Sequence, residues 1–160
     1  MRTCGAEVFS SGSAPPCSPP PLRRQITSHT RHNRFTLVTA HLADGGRPIG
    51  FGYGFRCSPA YWLGAELLTS MSSPVTAVEQ LSGLCELAVL PAWQGLGVGS
   101  AIHRALLDTL GTEWASLLAM PGADRPEQRL YRRLGYRYAG PYRVGPDGPA
   151  LDLLLLRTRT

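Results

Sequence analysis

Apolar positions change period several times along this chain, and each change marks an element. Phe35, Leu37, Val38, Ala40 and Leu42 form a strand-like run, closed by the turn signal Asp44-Gly45-Gly46. Ile49, Phe51, Tyr53 and Phe55 then alternate with Gly50, Gly52 and Gly54. Strand side chains point alternately to two faces, so this strand has one bulky face and one bare face. The two runs read as a hairpin. The bare face lets another element, or a substrate, lie close to the backbone. Residues 60–71 have helical character, with Trp62, Leu63, Leu67 and Leu68, until Ser72-Ser73-Pro74 breaks it. Residues 84–90 are a short apolar run closed by Pro91, the mark of a buried strand. After a glycine-rich loop, Val98, Ala101, Ile102, Ala105, Leu106 and Leu110 share one helical face, and Gly111 is placed to end the helix. His103 falls on the polar side and is expected at the surface.

Residues 114–120 are a further apolar strand, bounded by Pro121-Gly122. Asp124 is expected to cap the next helix, with Glu127 three residues on as in a capping box and Pro126 tolerated in the first turn. That helix carries Leu130, Tyr131 and Leu134 and stops at Gly135. Residues 136–142 and 151–157 read as two last strands around the turn cluster Gly145-Pro146-Asp147-Gly148. Residues 1–33 differ from the rest. They show neither period and carry Pro15, Pro16, Pro19, Pro20 and Pro21, so they read as a disordered tail before one domain, residues 34–160.

Composition narrows the class. One hundred and sixty residues, 43% hydrophobic and 17% charged, suit a single globular domain with a real core. No apolar run is long enough to span a bilayer, and the N-terminus lacks the apolar centre of a signal peptide. A cytoplasmic location without membrane contact is expected. The net charge is +5 and every basic residue is Arg. Apart from Arg23-Arg24 and Arg132-Arg133 the Arg residues are scattered, with no helix-turn-helix, zinc-finger or aromatic RNA-binding signature. A solvated Arg-rich surface fits this better than nucleic-acid binding. Cys4, Cys17, Cys57 and Cys85 include no pair at zinc-site spacing, so no metal is expected. Cys85 reads as a small apolar filler.

The chemistry centres on Gln94-Gly95-Leu96-Gly97-Val98-Gly99-Ser100, between the strand at 84–90 and the helix from Val98. Strand, glycine turn and helix N-terminus together bind phosphate: the glycines let the backbone approach, and the first helical N–H groups have no intrahelical partner. A Walker loop needs Lys, and the chain has none. A dinucleotide fingerprint needs Gly-x-Gly-x-x-Gly, and the spacing here is Gly95-x-Gly97-x-Gly99. Gln94-x-x-Gly97-x-Gly99 after Ala88-Val89-Leu90-Pro91 instead resembles the acetyl-CoA loop of the GNAT superfamily of N-acetyltransferases. Gln128-Arg129-Leu130-Tyr131-Arg132-Arg133-Leu134-Gly135-Tyr136 resembles a late segment of the same family.

The resemblance implies an α/β (α+β) fold: a mixed, mostly antiparallel central sheet flanked by helices, with a splayed strand pair that admits the pantetheine arm. It implies transfer of an acetyl, or short acyl, group from acetyl-CoA to an amine acceptor of a small molecule or protein. Leu87, Ala88 and Val89 would run beside the arm, and the N–H groups of Gln94, Gly95, Leu96, Gly97, Val98, Gly99 and Ser100 would hold the pyrophosphate. Gln94 would shape the loop or touch phosphate through its amide. The Val89 N–H would polarise the thioester carbonyl, and Tyr131 would give a proton to the departing thiolate, since a phenol stays protonated at neutral pH. The residue-level alternative for Tyr131 is a packed core ring.

Glu86 is a carboxylate in an apolar strand, and burying it unpaired is costly. It deprotonates the acceptor amine through water, recognises the amine as a cation, or pairs with a structural Arg. Family members usually open with a strand and two helices that wall the acceptor site, and the proline-rich start here does not supply them. Either this is a shortened member, or the chain start is not the natural one, or a second subunit, as in a homodimer, completes the site. An acyl-CoA-binding module without efficient turnover is the alternative function, and an Arg-rich nucleic-acid-associated protein the third.

Overall fold

The computed structural model of the chain describes residues 22–43, 46–143 and 148–158. The turn signal at Asp44-Gly45, most of the cluster at residues 145–148 and the proline run lie outside the described residues. Helix α1 (Leu22–His29) leads into the hairpin β1 (Thr36–His41) and β2 (Pro48–Cys57). Short helices α2 (Pro59–Leu63) and α3 (Ala65–Ser70) and a 3₁₀ turn (Pro74–Ala77) follow. Next come β3 (Leu81–Val89), α4 (Val98–Leu110), β4 (Trp114–Ala119), α5 (Pro126–Arg133), β5 (Arg137–Arg143) and β6 (Ala150–Arg157). The six strands form one sheet in the order β1-β2-β3-β4-β6-β5, antiparallel except for β3 beside β4. The mixed, mostly antiparallel sheet and flanking helices are those expected.

The alternation in β2 explains how the layers stack. Tyr53 and Phe55 belong to one core layer, with Trp62, Leu63, Leu81, Cys85 and Leu118. Gly50 and Gly52 of β2 face the other way, against α4. A Cβ at Gly52 would stand 2.9 Å from Ile102 Cγ2 and 3.1 Å from Leu106 Cδ1, and one at Gly50 3.1 Å from Ile102 Cδ1. The bare face is therefore occupied by α4, whose Ile102, Leu106 and Leu110 build the second core layer with Leu84, Leu87, Leu117 and Tyr131. Gly111, at φ 56°, ends α4 as expected, its N–H donating to the Leu107 carbonyl at 2.8 Å.

Four expectations need correction. Residues 22–29 are helical, although that stretch reads as aperiodic tail; the helix buries none of its residues fully and is tied down through its C-terminal end, where His29 meets Tyr53 and Phe55. Residues 60–71 are two helices rather than one, because Gly64 adopts φ 79° between them. The cap of α5 is Arg125, not Asp124: Pro126 forces the residue before it into extended backbone, observed at φ −66° and ψ 139°. Glu127 accordingly takes no part in a capping box and instead pairs with Arg125, its Oε1 2.5 Å from Nε. His103 is buried rather than at the surface, because α4 is covered on that side by the segment entering β5.

Candidate active site

The site begins where two neighbouring strands part. The β3–β4 ladder comprises Ser82–Ala115, Gly83–Ser116 and Leu84–Leu117. Beyond Leu84, β3 continues to Val89 and β4 to Ala119 without that ladder. The parting coincides with an irregularity on the other edge of β3: Gly54 pairs with Leu84 and Tyr53 with Glu86, so Cys85 is an extra residue, a β-bulge. Bulges bend a strand and re-aim its side chains. After the bulge β3 stays on β2, out to Gly50–Val89, and leaves β4.

Backbone polarity in the gap follows from the pairing. The Leu90 N–H donates to the Ile49 carbonyl at 2.8 Å, toward β2. Successive N–H groups of a strand point to opposite edges, so the Val89 N–H points into the gap. The Val89 carbonyl, on the same edge, accepts from Gln94 Nε2 at 2.9 Å. Gln94 thus pins the glycine loop to the end of β3, one of the two roles open to it in the sequence.

The loop itself is exposed from Gln94 to Gly97. Gly95 (φ 75°) and Gly97 (φ 86°) need the left-handed region, and nothing stands within 4 Å of a Cβ built on either. Gly97 is the N-cap of α4 and offers no side-chain acceptor to the first N–H groups of that 13-residue helix. That arrangement suits a pyrophosphate. Gly99 differs from the other two: it lies within the helix, 3.6 Å in Cβ terms from Leu130 of α5, and seats α4 against that helix.

Glu86 and Tyr131 both lie at the gap. Both border a cavity of ≈ 10 Å³ whose other walls are Leu84, Leu87, His103 and Leu106. Glu86 lies on a central strand and is 6% exposed; Tyr131, on α5, is 1% exposed. The Tyr131 ring meets Tyr136 edge-on at 5.6 Å. His103 Nε2 lies 3.0 Å from the Tyr136 hydroxyl, and burial, then the charge of Arg104, lowers its pKa to about 4. Burial likewise pushes the Tyr136 phenol well up, helped by Tyr131. Gln128, in the sequence only one member of the late segment, is a further buried polar residue. Its amide donates to the Met120 carbonyl and to Asp152 Oδ2, both at 2.8 Å, and so ties the end of β4 to β6. Among the described residues no cluster of three or more His, Cys, Asp or Glu could hold a metal, and no helix is long and apolar enough to cross a membrane.

Residues 36–138 match the family model of the acetyltransferase (GNAT) domain. The chain belongs to the GNAT family. It is 34% identical over 110 residues to the GCN5-like protein acetyltransferase Rv2170 of Mycobacterium tuberculosis, a match covering 62% of this chain and 53% of that protein. The chain therefore aligns with only about half the length of this curated relative. Among solved structures, Arabidopsis thaliana NAA60 in complex with acetyl-CoA superposes with a TM-score of 0.56 at 14% identity, covering 77% of this chain and 76% of that one. A structure titled histone acetyltransferase HPA2 and related acetyltransferase, from Corynebacterium glutamicum, gives 0.58 at 19% identity, covering 86% and 72%. These two likenesses are of fold.

Proposed function

We propose that this domain transfers an acetyl, or short acyl, group from acetyl-CoA to an amine of a small molecule or a protein. The parted strand pair carries the reading: a gap between β3 and β4, with a glycine loop and an uncapped helix N-terminus at its mouth. The residues present fit the donor. Open space over Gly95 and Gly97 leaves room for phosphate against the backbone, and acetyl-CoA when bound supplies the activated thioester.

Each step then has a candidate group. N–H groups between Gln94 and Ser100 hold the pyrophosphate, and Leu87, Ala88 and Val89 line the arm. The Val89 N–H stabilises the charge that develops on the thioester oxygen. Glu86 accepts the proton that the acceptor amine must lose before or during attack. Tyr131 gives its hydroxyl proton to the leaving thiolate.

Thiol release from acetyl-CoA over a panel of amines tests the activity, alongside acetyl-CoA affinity by calorimetry. Tight binding without release to any amine would leave a binding module in place of an enzyme. Tyr131→Phe keeps the packed ring and removes only the donor. It is expected to lower kcat by about 10²-fold, the low end for a positioned acid, because a thiolate is a fair leaving group. Acetyl-CoA affinity should hold, the signature of an interaction made in the transition state. Full turnover by the variant would return Tyr131 to the core.

A further inference from the structure

The proton taken from the acceptor amine must leave a buried carboxylate, and a route to solvent runs through residues that the acetyl-transfer reading does not use. Glu86 stands directly across the β2–β3 ladder from Tyr53, on the same face of the sheet. Tyr53 is fully buried. Its phenol is pushed far up by burial, then by Cys85 and Glu86, so it remains protonated and Glu86 bears on it electrostatically. The Tyr53 hydroxyl lies 3.2 Å from Nδ1 of His29, at the C-terminal end of α1. His29 is half-buried, so its ring bridges the interior and the surface. Burial, then the charge of His32, lowers its pKa. A lowered pKa keeps the ring neutral at neutral pH, able to accept at Nδ1, and quick to release a proton once taken.

We propose that Glu86, Tyr53 and His29 form a relay that carries the acceptor's proton from the active site to solvent. The proposal rests on the acetyl-transfer reading of the site. The Glu86 carboxylate takes a proton from the ammonium of the acceptor and becomes a carboxylic acid. That acid returns the proton to the Tyr53 oxygen as the Tyr53 hydroxyl proton moves to His29 Nδ1. The imidazolium then loses its Nε2 proton to water, which leaves the Nδ1–H tautomer; proton exchange with water through the imidazolium restores the Nε2–H tautomer, and rotation of the Tyr53 hydroxyl turns its proton back toward His29. His29 and Tyr53 act through Glu86 and are positioning residues.

The surroundings favour the neutral imidazole. Among the described residues, the titratable groups facing His29 are His32 beside it, Tyr53 on β2 and, behind Tyr53 on β3, Cys85 and Glu86. His32 is itself held, stacked on Phe55 at 4.1 Å and with Nε2 3.0 Å from the Tyr61 hydroxyl of α2. Protonation of His29 blocks the relay, so amine turnover should fall on the acid side with a midpoint below the ordinary histidine value.

Two readouts test this on the full chain. Nitrogen-15 shifts of labelled histidine at neutral pH report the tautomer without any turnover. The relay requires Nδ1 bare and Nε2 protonated, and the opposite tautomer overturns it. The second readout is kcat/KM for the amine against pH. His29→Gln and Tyr53→Phe should each lower it by roughly 10-fold or more, up to the contribution of an acid–base group. The double variant should be no worse than either single, since the two act in series. The acid limb should vanish in His29→Gln, with acetyl-CoA affinity unchanged. An acid limb that persists in His29→Gln, or wild-type turnover in Tyr53→Phe, overturns the relay. A wild-type chain that acetylates no amine overturns the acetyl-transfer reading instead, and the tautomer still decides the hydrogen-bond chain.

Discussion

At the scale of single residues, His103 couples the interior to pH. Its imidazole is neutral in the fold because burial, then Arg104, lowers the pKa to about 4. In the unfolded chain it titrates near the ordinary value of 6.5. Between those values the unfolded state binds the extra proton, so stability rises with pH there and is lost as pH falls from about 6.5 toward 4. The group can account for up to about 3 kcal/mol across that window. Urea midpoints measured from pH 7 down to pH 4 should fall accordingly. They should fall less in His103→Gln, whose amide can still meet the Tyr136 hydroxyl without titrating. An equal decline in both proteins would assign the acid sensitivity to other groups.

At the scale of elements, the closed end of the parted strands is held by one indole. Trp62 of α2 lies flat on β3, where a Cβ at Gly83 would come within 2.4 Å of its ring. Its Nε1 donates to Ser116 Oγ of β4 at 2.8 Å, and Ser116 donates in turn to the Leu154 carbonyl at 3.2 Å. Gly83 and Ser116 pair with each other in the rung next to the last before the gap. Gly83→Ala should therefore overpack this point and lower unfolding free energy by about 1–3 kcal/mol in denaturant titrations. An unchanged midpoint would mean that α2 can simply back away. Patterns confined to one element were legible in advance: the alternation that lays β2 under α4, the glycine loop, the stop at Gly111. What was not legible came from partners distant in sequence. His103 reads as polar surface until Tyr136 arrives 33 residues later, and the cover for Trp62 lies 54 residues on at Ser116. Asp124 lost its cap to the local effect of Pro126, a signal that was present and outranked. Tyr131 was legible as a candidate from a motif and Glu86 as a lone carboxylate in an apolar strand, but the bulge at Cys85, beside which both border one cavity, is announced by no spacing.

At the scale of the molecule, α1 is part of the domain that its composition seemed to exclude. His29 and His32 pack on Tyr53 and Phe55, and the Arg56 N–H donates to the Asn33 carbonyl at 2.9 Å. A chain begun at residue 34 should melt several degrees below one begun at residue 22, since a loss of about 1 kcal/mol shifts Tm by roughly 2–8 °C for domains of this size range. Equal melting temperatures would show α1 to be an appendage. The face of β2 that carries Tyr53 meets the end of α1, opposite the face that carries α4.

That seating of α4 on Gly50 and Gly52 has one more consequence. With no Cβ to lift it, the helix sits at a fixed height above the sheet, and its N-terminus sits at a fixed distance from the backbone of Val89. On the acetyl-transfer reading these two points grip opposite ends of one donor. The contact therefore works as a gauge: a donor whose anionic end and reactive carbon are spaced differently cannot reach both points at once. On that reading, selectivity for the length of the donor would trace to Gly50 and Gly52, which hold the helix rather than the donor.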